Sequence, residues 1–174
     1  MKELTRREML LRSAHAAAAL AVASPCFGLL AAAGPRRLKI GACDWSLGKL
    51  GDPKSFEVAK QIGLDGVQVS LGTAANDMHL RQPAVQTQFK AAAKASGLDI
   101  ASLAIGELNR VPYKNDPRTE VWVSDCVDVM QALGVKVVLL AFFDKGDLTG
   151  DEEGTNEVVR RLKKVAPKAE RVPR

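Results

Sequence analysis

The side chains able to do chemistry fall in four clusters, each just after a short apolar run. They are Asp44-Trp45-Ser46; Gln68 and Ser70, with Asn76, Asp77 and His79 beyond; Glu107, Asn109 and Arg110; and Phe142-Phe143-Asp144. A tryptophan face stacks on the apolar side of a sugar ring, or simply packs at a rim. A carboxylate such as Glu107 moves a proton, hydrogen-bonds a hydroxyl, or stands solvated in a loop. His79, the sole histidine outside the N-terminal segment, reads as a surface residue rather than a ligand. Phe142 and Phe143 read as core rather than as substrate wall.

Other chemistries find no support. No set of histidines and carboxylates has metal-ligand spacing, no glycine-rich loop could cradle a phosphate, and no Ser-His-Asp order occurs. No metal ligand and no catalytic residue is therefore assigned. The acidic stretch 144–153 lacks the alternating oxygen spacing of a calcium loop and reads as a solvated loop. The formal net charge of the 174-residue chain is +5, but much of it sits at the ends. A near-neutral body argues against a nucleic-acid partner. Of three cysteines, Cys26 falls in the N-terminal segment, and Cys43 and Cys126 read as two buried, inert thiols.

The elements that must hold these clusters are punctuated by glycine. Gly63-Leu64-Asp65-Gly66-Val67, Gly97-Leu98-Asp99-Ile100 and Gly134-Val135-Lys136-Val137 each end a helical run and enter a strand. Strands are expected at 38–45, 66–71, 100–105 and 136–143, recurring every ~30 residues, the length of a βαβ unit. Helices are expected from Asp52-Pro53, over 83–96, over 120–133, and from 155 to about 166 with Thr155 or Asn156 as cap. Val67, Val69 and Leu71 should face helices while Gln68 and Ser70 point inward. The apolar run 135–143 reads as a strand covered on both faces. The fold class is α/β, a (β/α) TIM-barrel type with about four β/α units, where a closed barrel has eight. In such folds ligands sit at the C-terminal ends of the strands, where the four clusters fall.

Residues 1–33 read as a twin-arginine signal peptide. Thr5-Arg6-Arg7-Glu8-Met9-Leu10 precedes an alanine-rich apolar stretch, and Ala31-Ala32-Ala33 offers a cleavage site before Gly34. The expected partner is the twin-arginine (Tat) translocase and the expected location is the periplasm.

Residues 38–170 resemble the exported members of the xylose-isomerase-like sugar phosphate isomerase/epimerase family. The resemblance rests on Lys39-Ile40-Gly41-Ala42-Cys43-Asp44-Trp45-Ser46-Leu47, Gly63-Leu64-Asp65-Gly66-Val67-Gln68-Val69-Ser70, Ser102-Leu103-Ala104-Ile105-Gly106-Glu107-Leu108-Asn109 and 137–143. It implies the N-terminal half of that barrel over 34–174, ending before the fifth strand. It also implies a sugar substrate and proton transfer next to its carbonyl, assisted by a divalent metal (manganese, magnesium, zinc or cobalt) held by two glutamates, an aspartate and a histidine. Those ligands belong to the family's second half and have no matching positions here, so neither metal binding nor turnover is expected of this chain. The resemblance carries over Trp45, Gln68, Glu107 and Asn109 as substrate-side residues. Gln68 stands where many relatives have glutamate; an amide still bonds a hydroxyl but is no base. Two other readings stay open: an abasic-site-endonuclease-like phosphodiesterase, and a non-catalytic half-barrel that binds a ligand or a second chain. Open edges at the first and fourth strands, with Val137, Leu139 and Ala141 exposed, imply self-association.

Overall fold

Left-handed glycines end three of the four α-helices among the described residues. Gly63 (φ +85°), Gly97 (φ +69°) and Gly134 (φ +71°) each turn a backbone N–H onto the last helical carbonyls. Strands follow at once, so helix and strand alternate along the chain. The computed structural model describes residues 38–171, and the segment 1–33, read above as a signal peptide, lies outside them. Strands β1 (Gly41–Cys43), β2 (Gly66–Ser70), β3 (Asp99–Ile105) and β4 (Val138–Leu140) form one parallel sheet in the order β1-β2-β3-β4. Helices α1 (Ser55–Ile62), α2 (Pro83–Ser96), α3 (Arg118–Leu133) and α4 (Glu152–Ala169) follow the strands in turn. This is the expected incomplete (β/α) barrel of four units.

The helix-facing row of the sheet makes the core. Val67, Val69, Leu71, Leu103 and Ile105 are fully buried against Phe56, Phe89, Trp122, Cys126, Val129 and Val158. Each such side chain contributes about 1.5–3 kcal/mol by leaving water. The opposite row carries Gln68 and Ser102. A bulge at Ala101 shifts the β2–β3 register so that Gln68 faces Ser102. Bulges re-aim side chains in this way.

The outer strands differ most from expectation. β1 is three residues long because the chain turns at once: Ser46 N–H bonds the Cys43 carbonyl at 3.0 Å and Lys49 N–H that of Asp44 at 2.9 Å. β4 is equally short, and it is not covered on both faces. Val137 is 61% and Leu139 39% exposed, while Val138 and Leu140 pack on the core. Ala141, expected to be exposed, is buried, because Asn109 ties down the chain end beside it through the Phe143 N–H.

Helix starts are also corrected. Asp52 closes a turn on Lys54 N–H at 2.8 Å, and α1 begins only at Ser55. α4 is capped by Asp151, which accepts from Gly154 N–H at 2.8 Å, not by Thr155 or Asn156. Glu152 and Glu153 then sit at the positive end of the helix dipole. Part of the acidic stretch is thus a helix start, not a solvated loop.

Gly72, at the exit of β2, adopts φ +132°, and an added Cβ would meet Asn76 Oδ1 at 2.7 Å and His79 N at 2.8 Å. Strain of this kind costs on the order of 1–3 kcal/mol. Gly72→Ala should therefore lower the unfolding free energy by about 2 kcal/mol in a urea titration. An unchanged midpoint would show that this turn relaxes freely.

Candidate functional site

Asp44 is the pivot of the strand ends. Its carboxylate is fully buried and accepts Ser70 Oγ–H at 2.6 Å, Ser70 N–H at 2.8 Å and Gly51 N–H at 2.9 Å. The other side of Gly51 is held too, since its carbonyl lies 2.9 Å from His79 Nε2. Both ends of one residue are gripped, and the loop from Asp44 to Gly51 is pinned across the end of β2. His79 is accordingly half-buried and structural, with its Nδ1 buried and unpartnered, and not the surface residue expected. Pinning the loop sets Trp45 (38% exposed) and Leu50 at the rim.

The end of β3 supplies the opposite wall. Gly106–Asn109 form a 3-10 turn that buries Glu107, only 8% exposed. Glu107 is thus not a solvated loop carboxylate. Its Oε2 accepts from Arg110 at 2.7 Å, and this bond, with the charge behind it, raises the guanidinium above its usual pKa. Asn109 Oδ1 accepts Phe143 N–H at 2.9 Å and so joins the β3 and β4 exits. Asp144 follows in the left-handed region at φ +48°, which aspartate tolerates better than most residues.

Between these walls lies a cleft of about 440 Å³, lined by Trp45, Leu50, Ser70, Thr73, Glu107, Asn109, Arg110, Leu139, Phe143 and Asp144 among others. Three of the four substrate-side residues therefore converge: Trp45, Glu107 and Asn109. Gln68 does not line the cleft. Its amide is spent inside the sheet, accepting from Cys43 Sγ at 3.0 Å and donating to Ser102 Oγ at 2.8 Å. Cys43 is only half-buried, and burial, then the Asp44 charge, pushes its thiol up. Phe143 is 65% exposed at the cleft, not core; Phe142 is partly buried and stacks on Tyr113.

A larger depression of about 740 Å³ opens at the start of α4 and shares no residue with the cleft. Its cations are already paired, Lys114 with Asp151 at 2.8 Å and Arg160 with Glu157. It offers a surface of satisfied charges, so the cleft at the strand ends is the better candidate.

The chain matches the family described as Xylose isomerase-like TIM barrel over residues 56–172. It belongs to that family. Among solved structures, D-psicose 3-epimerase with D-tagatose from Clostridium cellulolyticum H10 shares 15% identity and a TM-score of 0.58. That match covers 76% of this chain and 49% of the epimerase, so the chain spans about half its length. No curated protein matches. The cleft thus occupies the mouth of a xylose isomerase-like half-barrel, where this fold places ligands.

Among the described residues, no three His, Cys, Asp or Glu side chains gather where they could hold an ion. The carboxylate at the cleft wall, Glu107, is already bonded to Arg110. These residues do not fit the metal set that the family resemblance implies.

Asp44 and Ser70 stand among the strand-end candidates, but nothing in the sequence shows that they bond each other. Thr73 carried no signal.

Proposed function

We propose that this chain forms the substrate-side half of a sugar isomerase/epimerase-type mouth and binds a small polyhydroxylated sugar in the Trp45–Glu107 cleft. The observation that carries the proposal is the pairing of an exposed indole with a buried, arginine-bound carboxylate across one cleft. The indole face packs on the C–H side of a sugar ring. Glu107 Oε2 is taken by Arg110, which leaves Oε1 to accept a sugar hydroxyl. Arg110 has further N–H groups to donate, and the pair is close to neutral overall, which suits an uncharged sugar over a phosphorylated one. Proton transfer beside the carbonyl belongs to the complete barrel, and this chain alone binds without turnover. Arg110, the cation that lines the cleft, is already paired with Glu107, which disfavours a phosphodiester ligand.

Tryptophan fluorescence tests the reading, because Trp45 is exposed in the cleft while Trp122 is buried. Titration with D-tagatose should change the emission in a saturable way. Glu107→Gln should weaken binding roughly tenfold, the worth of one charge-assisted hydrogen bond. Trp45→Phe should abolish the emission change while calorimetry still detects binding. No saturable response to D-tagatose or any other ketohexose at high millimolar concentration would overturn the proposal.

A further inference from the structure

We propose that Arg81, which lies outside the cleft, is a positioning residue for it: Arg81 locks a strained strap, and the strap fixes Trp45 through His79 and Gly51. The strap is residues 72–81, between β2 and α2. Two consecutive residues in it, Asp77 (φ +51°) and Met78 (φ +49°), are left-handed without being glycine. Aspartate tolerates that region, whereas methionine enters it rarely. Such a pair persists only where its surroundings over-determine it.

Three restraints do so here. Met78 and Leu80 are fully buried, and their N–H groups donate to the Thr73 and Leu71 carbonyls at 3.0 and 3.1 Å. Asn76 Oδ1 accepts Thr73 N–H at 2.8 Å. Arg81 supplies the third restraint, and it reaches to α3. Its Nη2 donates to Asp77 Oδ1 at 2.7 Å and to the Asp77 carbonyl at 3.0 Å, while Nη1 donates to Asp125 Oδ2 at 2.8 Å. Asp77 is exposed, so as a charge pair its contact with Arg81 contributes little. The value of the contact is geometric. A planar guanidinium fork ties the left-handed turn to a helix through two nitrogens at once.

His79 comes directly after the left-handed pair, so the path of that pair aims its ring. Its Nε2 lies 2.9 Å from the Gly51 carbonyl. A carbonyl can only accept, so Nε2 carries the proton. The packing is close, since a Cβ added at Gly51 would meet His79 Cε1 at 2.7 Å. Gly51 adjoins Leu50 of the cleft wall, and its N–H is held by Asp44, the neighbour of Trp45. Releasing Arg81 therefore loosens in turn the left-handed pair, the imidazole and the rim. The position of Trp45 does not depend on what the cleft binds, whereas an effect on sugar affinity rests on the sugar-binding proposal.

Acrylamide quenching of the full chain reads Trp45, because Trp122 is buried. Arg81→Met and Asp125→Asn should each raise the quenching constant about twofold and weaken D-tagatose binding by about threefold to tenfold, the span of one coupling along such a relay. The carboxylates that Arg81→Met leaves behind are one exposed and one half-exposed, so the variant should fold. His79→Phe should have the same effect, and His79→Gln, which keeps an N–H where Nε2 lies, should restore wild-type quenching. The double variant Arg81→Met, His79→Phe should quench no more than either single one, because both break one relay. An Arg81 that only stabilises the fold would lower the urea midpoint and leave quenching unchanged. Wild-type quenching in folded Arg81→Met, or additive changes in the double variant, would overturn the proposal. Should Arg81→Met fail to fold, Asp125→Asn decides alone, and wild-type quenching there overturns it. Quenching that follows the expected pattern in a chain with no response to D-tagatose would sink the sugar-binding proposal and uphold the positioning role.

Discussion

Replacing Asp44 by alanine should lower the unfolding free energy by about 3–5 kcal/mol and blunt the sugar response proposed for the cleft. Its carboxylate is fully buried and satisfies three donors, Ser70 N–H, Ser70 Oγ–H and Gly51 N–H, at 2.6–2.9 Å. Hydrogen bonds to a charged group are worth about 1.5–3 kcal/mol each, and donors left buried and unpaired carry their own penalty. The three do not add, because the burial cost of the charge disappears with it. Asp44→Asn should cost less, since an amide keeps one acceptor oxygen. Urea titration measures both. A loss under about 1 kcal/mol for alanine would mean that water replaces the carboxylate. Because Gly51 is released from one of its two holds, Trp45 should also lose its fixed position.

Raising the pH from about 8 to about 11 should destabilise the fold steeply. Burial pushes the Cys126 thiol up to about 12, against a smaller opposing pull from Lys168. Burial, then the Glu120 charge, pushes the Tyr113 phenol to about 12 as well. In the unfolded chain these groups ionise near 8.5 and 10. The unfolded state therefore releases protons first as pH rises. Stability is full below about pH 8.5 and is lost progressively toward about pH 12, by about 1.4 kcal/mol per pH unit for each group in its window. Denaturant titrations across this range give the slope, and Cys126→Ala should remove the part that begins near pH 9. A flat profile to pH 11 would show that neither group is as secluded as the packing indicates. The acid limb is weaker. Hydrogen bonds from Arg160, then Arg161, hold Glu157 down to about 2, so its contribution is present above about pH 4.3 and fades as pH falls through about 2. It sits at the surface, where such pairs contribute little.

The repeat and its punctuation were legible because they are local. A glycine that ends a helix declares itself beside the residues it caps, and the helix Pro83–Ser96 has the expected limits. The alternation that sent Val67, Val69 and Leu71 to the helices was equally local. Strand length was not legible at the edges, since among the described residues β1 and β4 have a neighbour on one side only, and β1 is cut short by the turn that follows Cys43. The cap at Asp151 was hidden among other acids in 144–153. At the site, Trp45, Glu107 and Asn109 converge because strand ends in this fold share one face. Gln68 stays apart because its partners, Cys43 and Ser102, are brought to it by a bulge that no spacing rule announces. Asp44 and His79 gain their roles from Gly51, a contact between loops.

Sheet order equals chain order, and this has a consequence for how the molecule is made. Cys43 pairs with Gln68, Gln68 with Ser102 and Leu103 with Val138, so each strand needs only its immediate predecessor. Such short separations favour fast folding. A chain leaving the ribosome N-terminus first can dock each β/α unit on the last before the next is synthesised. At every stage of that growth the newest strand is the sheet's open edge, so the nascent chain is exposed to edge-to-edge pairing until its next unit docks.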